Sequence, residues 1–387
     1  MLRRTRADVE QYYYDPTFHG VDLDAALGAA RQRLEAAATF PDAFSIVSDF
    51  VQRLDDSHTV FIPPTAGTRV DYGWQMAMVG DRALVTDVDP HSDAAARGMH
   101  PGDRVLLLNA VTPSRANASR LAYYYRYIRP QMHQRIAVLS PDGSAQTLDV
   151  ASRPAARAAD DGALLTELDQ LIARGRDRAA SVGDTVMVWK MSVFGLPESV
   201  DRMIEKARAY RTLVVDLRGN GGGSVTALQE LVGRCFDRPV VVAVETRRGR
   251  QSTREIAAPA KNPFTGRLAV LVDSRSASAA EMFARIVQIE KRGIVLGDRT
   301  AGAVMRSRLF THRAESQTAS AVYGTSVTVA DVRMSDGGSL EKAGVEPDEI
   351  VLPSQADLAS GRDPALARAI ELAGGAITPD EAGRLFK

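Results

Sequence analysis

The fold is decided by the stretch Thr212-Leu-Val-Val-Asp-Leu-Arg-Gly-Asn-Gly-Gly-Gly-Ser224, in which an apolar run ends in a glycine-rich turn. A helical pattern follows directly at residues 225–236. An apolar, β-branched run, a turn and an amphipathic segment together indicate a buried strand that leads into a helix. Further strands are expected at residues 185–189, 240–244, 268–273 and 293–297, and further helices at residues 199–210 and 279–291. This alternation predicts an α/β layered domain at residues 156–360.

Two smaller regions precede this domain. Apolar residues recur at helical spacing between residues 22 and 54, which predicts an N-terminal helical region at residues 1–64. This region ends in the polar turn Asp55-Asp-Ser-His-Thr59. Short β-branched runs separated by turn residues then predict a β-rich domain at residues 65–155. The expected fold class is therefore multidomain α/β.

Two flanking segments differ in composition from the α/β domain. An Ala/Arg/Asp-rich stretch at residues 155–161 is typical of a linker. The C-terminal tail, residues 361–387, has helical patterns at residues 364–372 and 379–386. We interpret these two patterns as short surface helices.

The composition excludes several classes of protein. The chain has 387 residues, 45% of them apolar, and its 48 Lys and Arg balance 48 Asp and Glu. Such an apolar fraction excludes disorder as the main state, and zero net charge gives no electrostatic reason to expect nucleic acid as a partner. No segment reaches the roughly 18 apolar residues of a membrane span. We therefore expect a soluble protein, cytoplasmic as given, or periplasmic if a signal peptide has been removed.

The only cysteine is Cys235. It can form no internal disulfide and no cysteine-based metal site, so we interpret it as part of the core. The His-Glu-x-x-His motif of zinc enzymes is also absent from the sequence. The sequence therefore implies neither a metal nor a cofactor.

The glycine-rich turn at residues 218–224 places free backbone N–H groups at the start of a helix, where anions bind. One interpretation is a phosphate loop, but the Gly-Lys-Ser/Thr ending of such loops is absent. A second is an oxyanion hole, whose N–H groups stabilise the tetrahedral intermediate of acyl transfer. A third is a tight turn that needs glycine for positive φ. The turn by itself leaves all three open.

Three further segments carry groups that suit catalysis. Ser278 starts a helix in Val272-Asp-Ser-Arg-Ser-Ala-Ser-Ala-Ala-Glu281, although a serine followed by Glu281 is by itself typical of a capping box. His58 lies in the polar turn after the helical region. The acidic stretch Leu340-Glu-Lys-Ala-Gly-Val-Glu-Pro-Asp-Glu349 would ordinarily be a surface loop. The remaining histidines, in unpatterned or surface-like surroundings, are His19, His91, His100, His133 and His312.

The β-rich domain resembles a PDZ domain. The resemblance is carried by Tyr72-Gly-Trp-Gln-Met76, by Asp89-Pro-His-Ser-Asp-Ala-Ala-Ala-Arg-Gly-Met-His-Pro-Gly-Asp-Arg104 and by Asn109. It implies a loop whose N–H groups hold the terminal carboxylate of a peptide, next to a strand edge that takes up the peptide as an extra strand. The residues of this loop are Tyr72, Gly73, Trp74, Gln75 and Met76. The alternative is a PDZ fold that serves only as a lid or spacer.

Taken together, the segments resemble the serine peptidases that include the C-terminal processing (tail-specific) peptidases and the tricorn core protease. The matching motifs are Asp216-Leu-Arg-Gly-Asn-Gly-Gly-Gly223, Ser276-Ala-Ser-Ala-Ala-Glu281, Gly297-Asp-Arg-Thr-Ala-Gly302, Gly344-Val-Glu-Pro-Asp348 and Leu54-Asp-Asp-Ser-His-Thr59. The resemblance implies a ClpP/crotonase-like layered peptidase domain with Ser278 as the nucleophile. It also implies an oxyanion hole formed by the N–H groups of Gly222 or Gly223 and of Ala279.

The resemblance also bears on the general base. Processing peptidases use a lysine in a Thr-x-Gly-Lys segment, but the corresponding segment here is Thr300-Ala-Gly-Ala303, and alanine cannot accept the serine proton. The tricorn-like branch uses a Ser-His pair and a glutamate, which correspond to Ser57, His58 and Glu341. A histidine with a pKa near 6.5 suits proton transfer at neutral pH. In this variant His58 is the base and Glu341 orients it through Ser57. The neighbouring acids Glu346 and Glu349 are alternatives to Glu341.

The predicted function is that of a serine-type endopeptidase acting on non-native or C-terminally presented polypeptides. Its expected partners are a polypeptide substrate and a C-terminal peptide ligand of the PDZ domain, with no nucleic acid. Because dimers and larger rings occur among proteins of this kind, a homo-oligomer is also expected. The alternative, prompted by the missing lysine, is a catalytically inactive peptidase-like protein that binds peptides or small apolar ligands.

Overall fold

The computed structural model describes residues 1–64, 70–154, 177–250, 252–315 and 320–386. These residues form an N-terminal helical region, a β-rich domain and an α/β domain. The expected linker at residues 155–161 lies outside the described residues. None of the described helices combines the length and the apolar character needed to cross a membrane.

The N-terminal region consists of three helices and one short strand. They are α1 (Leu2–Tyr12), α2 (Leu23–Glu35), α3 (Phe40–Gln52) and β1 (Val60–Ile62). The carboxylate of Asp22 caps α2, and the hydroxyl of Thr39 caps α3, so both helices begin where a side-chain oxygen satisfies free N–H groups. The helical expectation for residues 22–54 is therefore confirmed.

Helix α1 precedes the apolar pattern of residues 22–54. The pattern does not extend to α1, because part of the buried face of this helix is polar. Thr325 donates its hydroxyl to Thr5, and His312 Nε2 lies 2.6 Å from Asp8 Oδ2. The expectation of a surface-like His312 is thus wrong, since this half-buried histidine joins α1 to the strand opposite. Polar groups paired in this way interrupt the apolar spacing by which a buried helix is predicted.

The β-rich domain is built on a five-stranded antiparallel sheet and also contains short helices and a separate pairing of two short strands. Its elements are β2 (Val70–Asp71), β3 (Trp74–Val79), β4 (Arg82–Val88), α4 (Asp93–Ala96), β5 (Arg104–Leu108), α5 (Ala118–Tyr123), a π-helical turn (Tyr124–Ile128), β6 (His133–Leu139), β7 (Ala145–Ala151) and β8 (Arg153–Pro154). The five main strands follow the order β3-β4-β5-β6-β7, which leaves β3 at an edge. Val85, Ile136 and Val138 fill the core of this domain.

The α/β domain contains the remaining strands and helices. They are β9 (Arg178–Val182), β10 (Val186–Lys190), α6 (Pro197–Ala207), β11 (Thr212–Asp216), α7 (Val225–Cys235), β12 (Val240–Arg247), β13 (Thr253–Ala257), β14 (Arg267–Val272), α8 (Ala279–Ile289), β15 (Ile294–Gly297), β16 (Arg306–Glu315), β17 (Ser320–Arg333), β18 (Glu349–Ile350), α9 (Gln355–Ser360), α10 (Pro364–Leu372) and α11 (Pro379–Arg384). Six of the strands form one sheet in the order β18-β15-β14-β11-β10-β9, parallel except for β9.

Both faces of this six-stranded sheet are covered. Trp189, Leu213 and Val215 point to one face and share a core with α6, α7 and α8. That core also contains Cys235, which is 1% exposed and whose pKa burial raises to about 12. The core role expected for this cysteine is confirmed. The expected layering of strands and helices is present in this part of the chain.

Helix α10 covers the other face, so it is a core element and not a surface helix. Its residues Leu366, Ala369 and Ile370 pack against Val188 and Val214 of the sheet. The expectation of a surface helix at residues 364–372 is wrong for this reason. A parallel sheet exposes two apolar faces, and the second face needs a helical layer from somewhere in the chain.

A second, antiparallel sheet lies beside the first and brings distant parts of the chain together. Strand β17 is its centre and pairs with β1, β12 and β16, while β13 pairs with β12. The strand expected at residues 240–244 therefore exists, but it belongs to this sheet and not to the alternating α/β sheet. The pairing of β1 with β17 places the turn at residues 55–59 against the α/β domain.

Candidate active site

Ser278 lies at the turn between β14 and α8, in a backbone conformation that residues other than glycine rarely adopt. Its φ is 55° and its ψ is −119°. A sharp, strained turn of this kind between a strand and a helix is the arrangement that presents a nucleophilic serine in other hydrolases. Gly222 lies against it so closely that a Cβ on Gly222 would be 2.6 Å from the Ser278 Cβ. Glycine is therefore required at position 222.

The turn is held by the buried carboxylate of Glu281. It accepts the N–H of Ser278 at 3.0 Å, the hydroxyl of Thr300 at 2.6 Å and the N–H groups of Gly302 and Ala303 at 2.8 and 2.9 Å. Burial raises the pKa of Glu281, and these hydrogen bonds oppose the shift. Glu281 thus takes the part of a capping carboxylate and also fastens the serine turn to the segment at residues 300–303.

Asn220 organises the glycine-rich turn. Its Oδ1 accepts the N–H of Gly222 at 2.8 Å, its Nδ2 donates to the Met191 carbonyl at 2.9 Å, and its own carbonyl accepts the N–H of Ala277 at 2.9 Å. The N–H of Gly222 is therefore already used. The sequence by itself assigns no role to Asn220, since an asparagine between glycines is an ordinary turn residue.

Two N–H groups beside Ser278 remain free. Within the described part of the chain, neither Gly223 nor Ala279 donates a backbone hydrogen bond. Gly223 has φ 135°, and Ala279 is the first residue of α8, where N–H groups have no partner within the helix. Of the donors expected for an oxyanion hole, the geometry thus favours Gly223 with Ala279 over Gly222.

Ser57 connects His58 to Glu341. The Ser57 hydroxyl donates to Glu341 Oε2 at 2.8 Å and lies 2.7 Å from His58 Nδ1, and the Ser57 N–H donates to Glu341 Oε1 at 2.9 Å. A hydroxyl has one proton, so the Ser57 oxygen accepts its second hydrogen bond from a proton on Nδ1. In a neutral imidazole this leaves Nε2 as the unprotonated nitrogen, which is the form a base requires.

The carboxylate of Asp56 holds the histidine turn, residues 55–59, through hydrogen bonds. Its carboxylate accepts the N–H groups of His58 at 2.9 Å and Thr59 at 2.7 Å, and the hydroxyl of Thr328 on β17 at 2.8 Å. Burial lowers the pKa of His58, Asp56 opposes the shift, and Arg306 adds to it. The imidazole is therefore held in its neutral form at physiological pH.

Glu341 is the acid that reaches the histidine turn. Val304 donates its N–H to Glu341 Oε2 at 3.0 Å, and burial raises the pKa of Glu341 against the effect of its hydrogen bonds. Glu349 instead pairs with Arg368 at 2.7 Å, and Glu346 is exposed. The geometry thus favours Glu341 among the three acids considered.

The segment at residues 302–304 joins the serine turn to the histidine turn. The Ala303 carbonyl accepts the Ser278 N–H at 3.0 Å, and the next residue, Val304, donates to Glu341. Ser278 and the Glu341–Ser57–His58 set are therefore attached to neighbouring residues of one segment. No hydrogen bond links His58 to Ser278 among the described residues, which is common in enzymes without substrate.

The nearby lysines are engaged elsewhere. Lys342 pairs with Asp55 at the surface. Lys190 lies 3.2 Å from Asp216 and donates to the Arg218 carbonyl at 2.7 Å, and burial lowers its pKa. Neither lysine hydrogen-bonds to Ser278 in the described structure. In the part of the chain that the structure describes, no group of three or more His, Cys, Asp or Glu side chains is arranged so that it could hold a metal ion.

The loop expected to hold a peptide carboxylate has one N–H group already paired. Gly73 donates to Asp71 Oδ1 at 2.9 Å, and the buried Tyr72 uses its hydroxyl to bind the backbone of Gln131. Trp74, Gln75 and Met76 belong to the edge strand β3. The structure therefore provides the strand edge, while fewer N–H groups than expected face outward in the loop.

Residues 186–351 match the family model described as Peptidase family S41. The chloroplastic carboxyl-terminal-processing peptidase 2 of Arabidopsis thaliana is 26% identical over 361 residues, covering 88% of this chain and 66% of that protein. The tail-specific protease of Haemophilus influenzae is 26% identical over 287 residues, covering 69% of this chain and 40% of that protein. The chain therefore spans less than two thirds of the length of both relatives.

Solved structures of similar fold include mature CPAF and two proteases. Mature CPAF superposes with a TM-score of 0.68 at 16% identity, covering 92% of this chain and 94% of that one. The photosystem II D1 C-terminal processing protease gives 0.55 at 20% identity, covering 100% and 98%. The tricorn protease gives 0.53 at 16% identity, covering 97% and 36%. At these identities the likeness establishes the fold.

Proposed function

The chain contains a peptidase family S41 domain, and we propose that it is a serine-type endopeptidase that cleaves polypeptides. Its substrates are non-native or C-terminally presented chains. The observation that carries the proposal is the hydrogen-bonded set of Glu341, Ser57 and His58, because it leaves Nε2 of the imidazole unprotonated. Val304, which donates its N–H to Glu341, directly follows Ala303, whose carbonyl accepts the N–H of Ser278.

The mechanism follows the logic of the serine triad. Ser278 Oγ attacks the scissile carbonyl while His58 Nε2 takes the serine proton. The N–H groups of Gly223 and Ala279 stabilise the oxyanion that forms. His58 then returns the proton to the leaving amine, and a water molecule activated by the same nitrogen hydrolyses the acyl-enzyme.

Glu341 and Ser57 act as positioning residues in this mechanism. The carboxylate holds the Ser57 hydroxyl, and this hydroxyl holds Nδ1 of His58, which fixes the tautomer and the ring plane. Glu341 also stabilises the imidazolium that forms when Nε2 is protonated. A lysine at position 303 is therefore not needed.

We propose that three parts of the chain share this function. Residues 1–64 contribute the histidine, and residues 65–155 form a PDZ domain that presents strand β3 to a peptide. Residues 156–360 form a ClpP/crotonase-like peptidase domain. The support is the edge position of β3 and the strand pairing of β1 with β17. No observation favours the alternative of an inactive binding protein.

Labelling with a fluorophosphonate probe, followed by mapping of the adduct, tests the activity directly, because the probe reacts with activated serines. We expect an adduct on Ser278 in the unmodified protein, none in Ser278→Ala and a loss of at least about 100-fold in the labelling rate in His58→Ala. Full labelling of His58→Ala would exclude a histidine base. Circular dichroism of each variant controls for folding.

A further inference from the structure

The hydroxyl of Thr300 joins two loops that carry different parts of the proposed active site. It donates to Glu281 Oε1 at 2.6 Å, and Glu281 in turn accepts the N–H of Ser278 at 3.0 Å. The same hydroxyl accepts the N–H of Val345 at 2.6 Å. Val345 belongs to a loop at residues 340–345, which we call the acid loop. One hydroxyl therefore connects the serine turn to the acid loop.

The acid loop is packed closely against residues 300–302. The N–H of Thr300 donates to the Val345 carbonyl at 3.2 Å, and the N–H of Lys342 donates to the Gly302 carbonyl at 2.7 Å. A Cβ at Gly302 would lie 2.8 Å from the carbonyl carbon of Lys342. Because there is no space between the two segments, a displacement of one is passed to the other.

The acid loop also places Glu341. Lys342, the next residue, has a φ of 62°, which a residue with a side chain keeps only where its surroundings hold it. The carboxylate of Glu341 reaches the N–H and the hydroxyl of Ser57 at 2.9 and 2.8 Å, and this hydroxyl lies 2.7 Å from His58 Nδ1. The contacts of Thr300 therefore continue through the acid loop and Ser57 to His58.

Both hydrogen bonds of the Thr300 hydroxyl have a fixed direction. The Glu281 carboxylate can only accept, so the one hydroxyl proton points to it, and an oxygen lone pair is left for the Val345 N–H. Thr300 is 3% exposed and Val345 is 1% exposed, so solvent cannot replace these partners. Loss of the hydroxyl would leave a buried N–H without its acceptor.

We propose that Thr300 is a positioning residue, whose hydroxyl sets the serine turn relative to the acid loop and thereby aligns Ser278 with His58. The inference rests on the proposed function, in which these two residues exchange a proton. Such a transfer needs a close approach, and a misplacement of about 1 Å can cost about 100-fold in rate. Since the buried hydroxyl acts through Glu281 and the acid loop, its loss lowers kcat and leaves KM nearly unchanged.

Steady-state cleavage of a fluorogenic peptide tests the proposal, with kcat expressed per active site by fluorophosphonate titration. We expect Thr300→Val, which keeps the shape of the side chain, to lower kcat by about 10- to 100-fold with KM nearly unchanged. Thr300→Ser keeps the hydroxyl and should keep kcat close to that of the unmodified protein. An unchanged kcat in Thr300→Val, or an equal loss in the serine variant, overturns the proposal.

Thr212→Val is the matched control. Thr212 is 2% exposed and donates its hydroxyl to the Ala373 carbonyl at 3.0 Å, so the change also removes a buried hydrogen bond. Thr212 begins β11, at the end of the strand opposite the glycine-rich turn. We expect a stability loss, measured as the urea midpoint, without a change in kcat. A fall in kcat equal to that of Thr300→Val would show a merely structural effect and overturn the proposal.

NMR of nitrogen-labelled histidine rings measures the alignment without catalysis. His58→Ala identifies the His58 signals, and spectra are recorded above neutral pH, where the imidazole is uncharged. We expect the unmodified protein to carry the proton on Nδ1 of His58, as its contact with Ser57 requires. Thr300→Val should give a mixture of both tautomers, while Thr300→Ser and Thr212→Val should not. A His58 spectrum that is unchanged in Thr300→Val overturns the proposal.

The two measurements separate this proposal from the proposed activity. A tautomer change in Thr300→Val, in a protein that the fluorophosphonate never labels, supports the role of Thr300 and contradicts the peptidase activity. Normal labelling of Ser278 with an unchanged tautomer in Thr300→Val overturns the role of Thr300 and leaves the activity standing. If circular dichroism shows that the valine variant does not fold, Thr300→Cys replaces it. A thiol is a weak donor and acceptor, so smaller changes of the same kind are expected, and their absence overturns the proposal.

Discussion

At the scale of single residues, a few side chains hold the site in a conformation that the backbone alone would avoid. Ser278 has positive φ, and its N–H is fixed by Glu281 and by the Ala303 carbonyl. In the glycine-rich turn, Asn220 Oδ1 accepts the N–H of Gly222, while the N–H of Gly223 has no acceptor among the described residues. Backbone strain persists only where surrounding hydrogen bonds determine it, and here they come from buried polar groups.

Asn220→Ala should lower kcat by roughly 10- to 100-fold and leave KM nearly unchanged, because the amide positions the oxyanion loop without touching substrate. The measurement is steady-state cleavage of a fluorogenic peptide. Asn262→Ala, at an exposed asparagine far along the chain, is the control. An equal rise in KM with unchanged kcat would assign Asn220 to substrate binding instead.

The acid limb of kcat/KM should lie below pH 6.5, because burial lowers the pKa of His58 and the neutral imidazole is the active form. Activity is then full at neutral pH and falls as the pH drops through this lowered pKa. A pH–rate profile of the unmodified protein measures it. A limb above pH 6.5 would contradict the environment assigned to His58.

At the scale of elements, helix α10 completes the α/β domain. Asp363 caps it and also binds Arg218, whose guanidinium in turn pairs with the buried Asp216 at the end of β11. Arg218 and Lys190 hold the pKa of Asp216 well below its usual range, and burial opposes them. These ion pairs hold the start of α10 beside the glycine-rich turn, so the C-terminal helix α10 helps to position this turn.

Leu366→Ala should destabilise the protein by about 2–5 kcal/mol, because the side chain is 1% exposed and lies in the core beneath the sheet. Glu371→Ala, on the exposed face of the same helix, should change the stability by less than about 0.5 kcal/mol. Urea unfolding followed by circular dichroism measures both. A surface helix would give small effects for both variants.

At the scale of the whole molecule, the β-rich domain is fastened to the loops that carry the site. Arg115 donates to the carbonyls of Gly80 and Arg299 and to Asp298 Oδ1, and Gly80 donates to Asp298 Oδ2 at 2.9 Å. Ser274, in the serine turn, donates its hydroxyl to the Met78 carbonyl of β3 at 2.6 Å. One contact therefore runs directly from the edge strand to the serine turn.

Arg115→Ala should loosen this contact and cost about 2 kcal/mol, because Asp298 is left buried without its charged partner. Hydrogen exchange should rise at residues 79–81 and 298–300. Arg82→Ala, at an exposed neighbouring position, is the control and should leave exchange in these segments unchanged. Unchanged exchange in Arg115→Ala would show that other contacts hold the domain.

The sequence by itself determined the elements that depend on local patterns. The alternation around residues 212–236 and the helices of residues 22–54 could be predicted, because apolar spacing, caps and glycine turns act over a few residues. The roles of Ser278 and His58 were predicted only through the resemblance of their motifs to a peptidase family. The position of Glu341 was predicted only through its motif. The likeness of the motifs to a peptidase family was also readable from the sequence, and the match at residues 186–351 confirms it.

Tertiary structure alone decided which distant residues meet. The pairing of β1 with β17 brings Ser57 to Glu341, helix α10 covers the second face of the sheet, and Asn220 selects which glycine N–H remains free. These outcomes depend on strand pairing, on the need to bury a second apolar face and on the satisfaction of buried polar groups. Such constraints act between segments far apart in the chain, so no local pattern contains them.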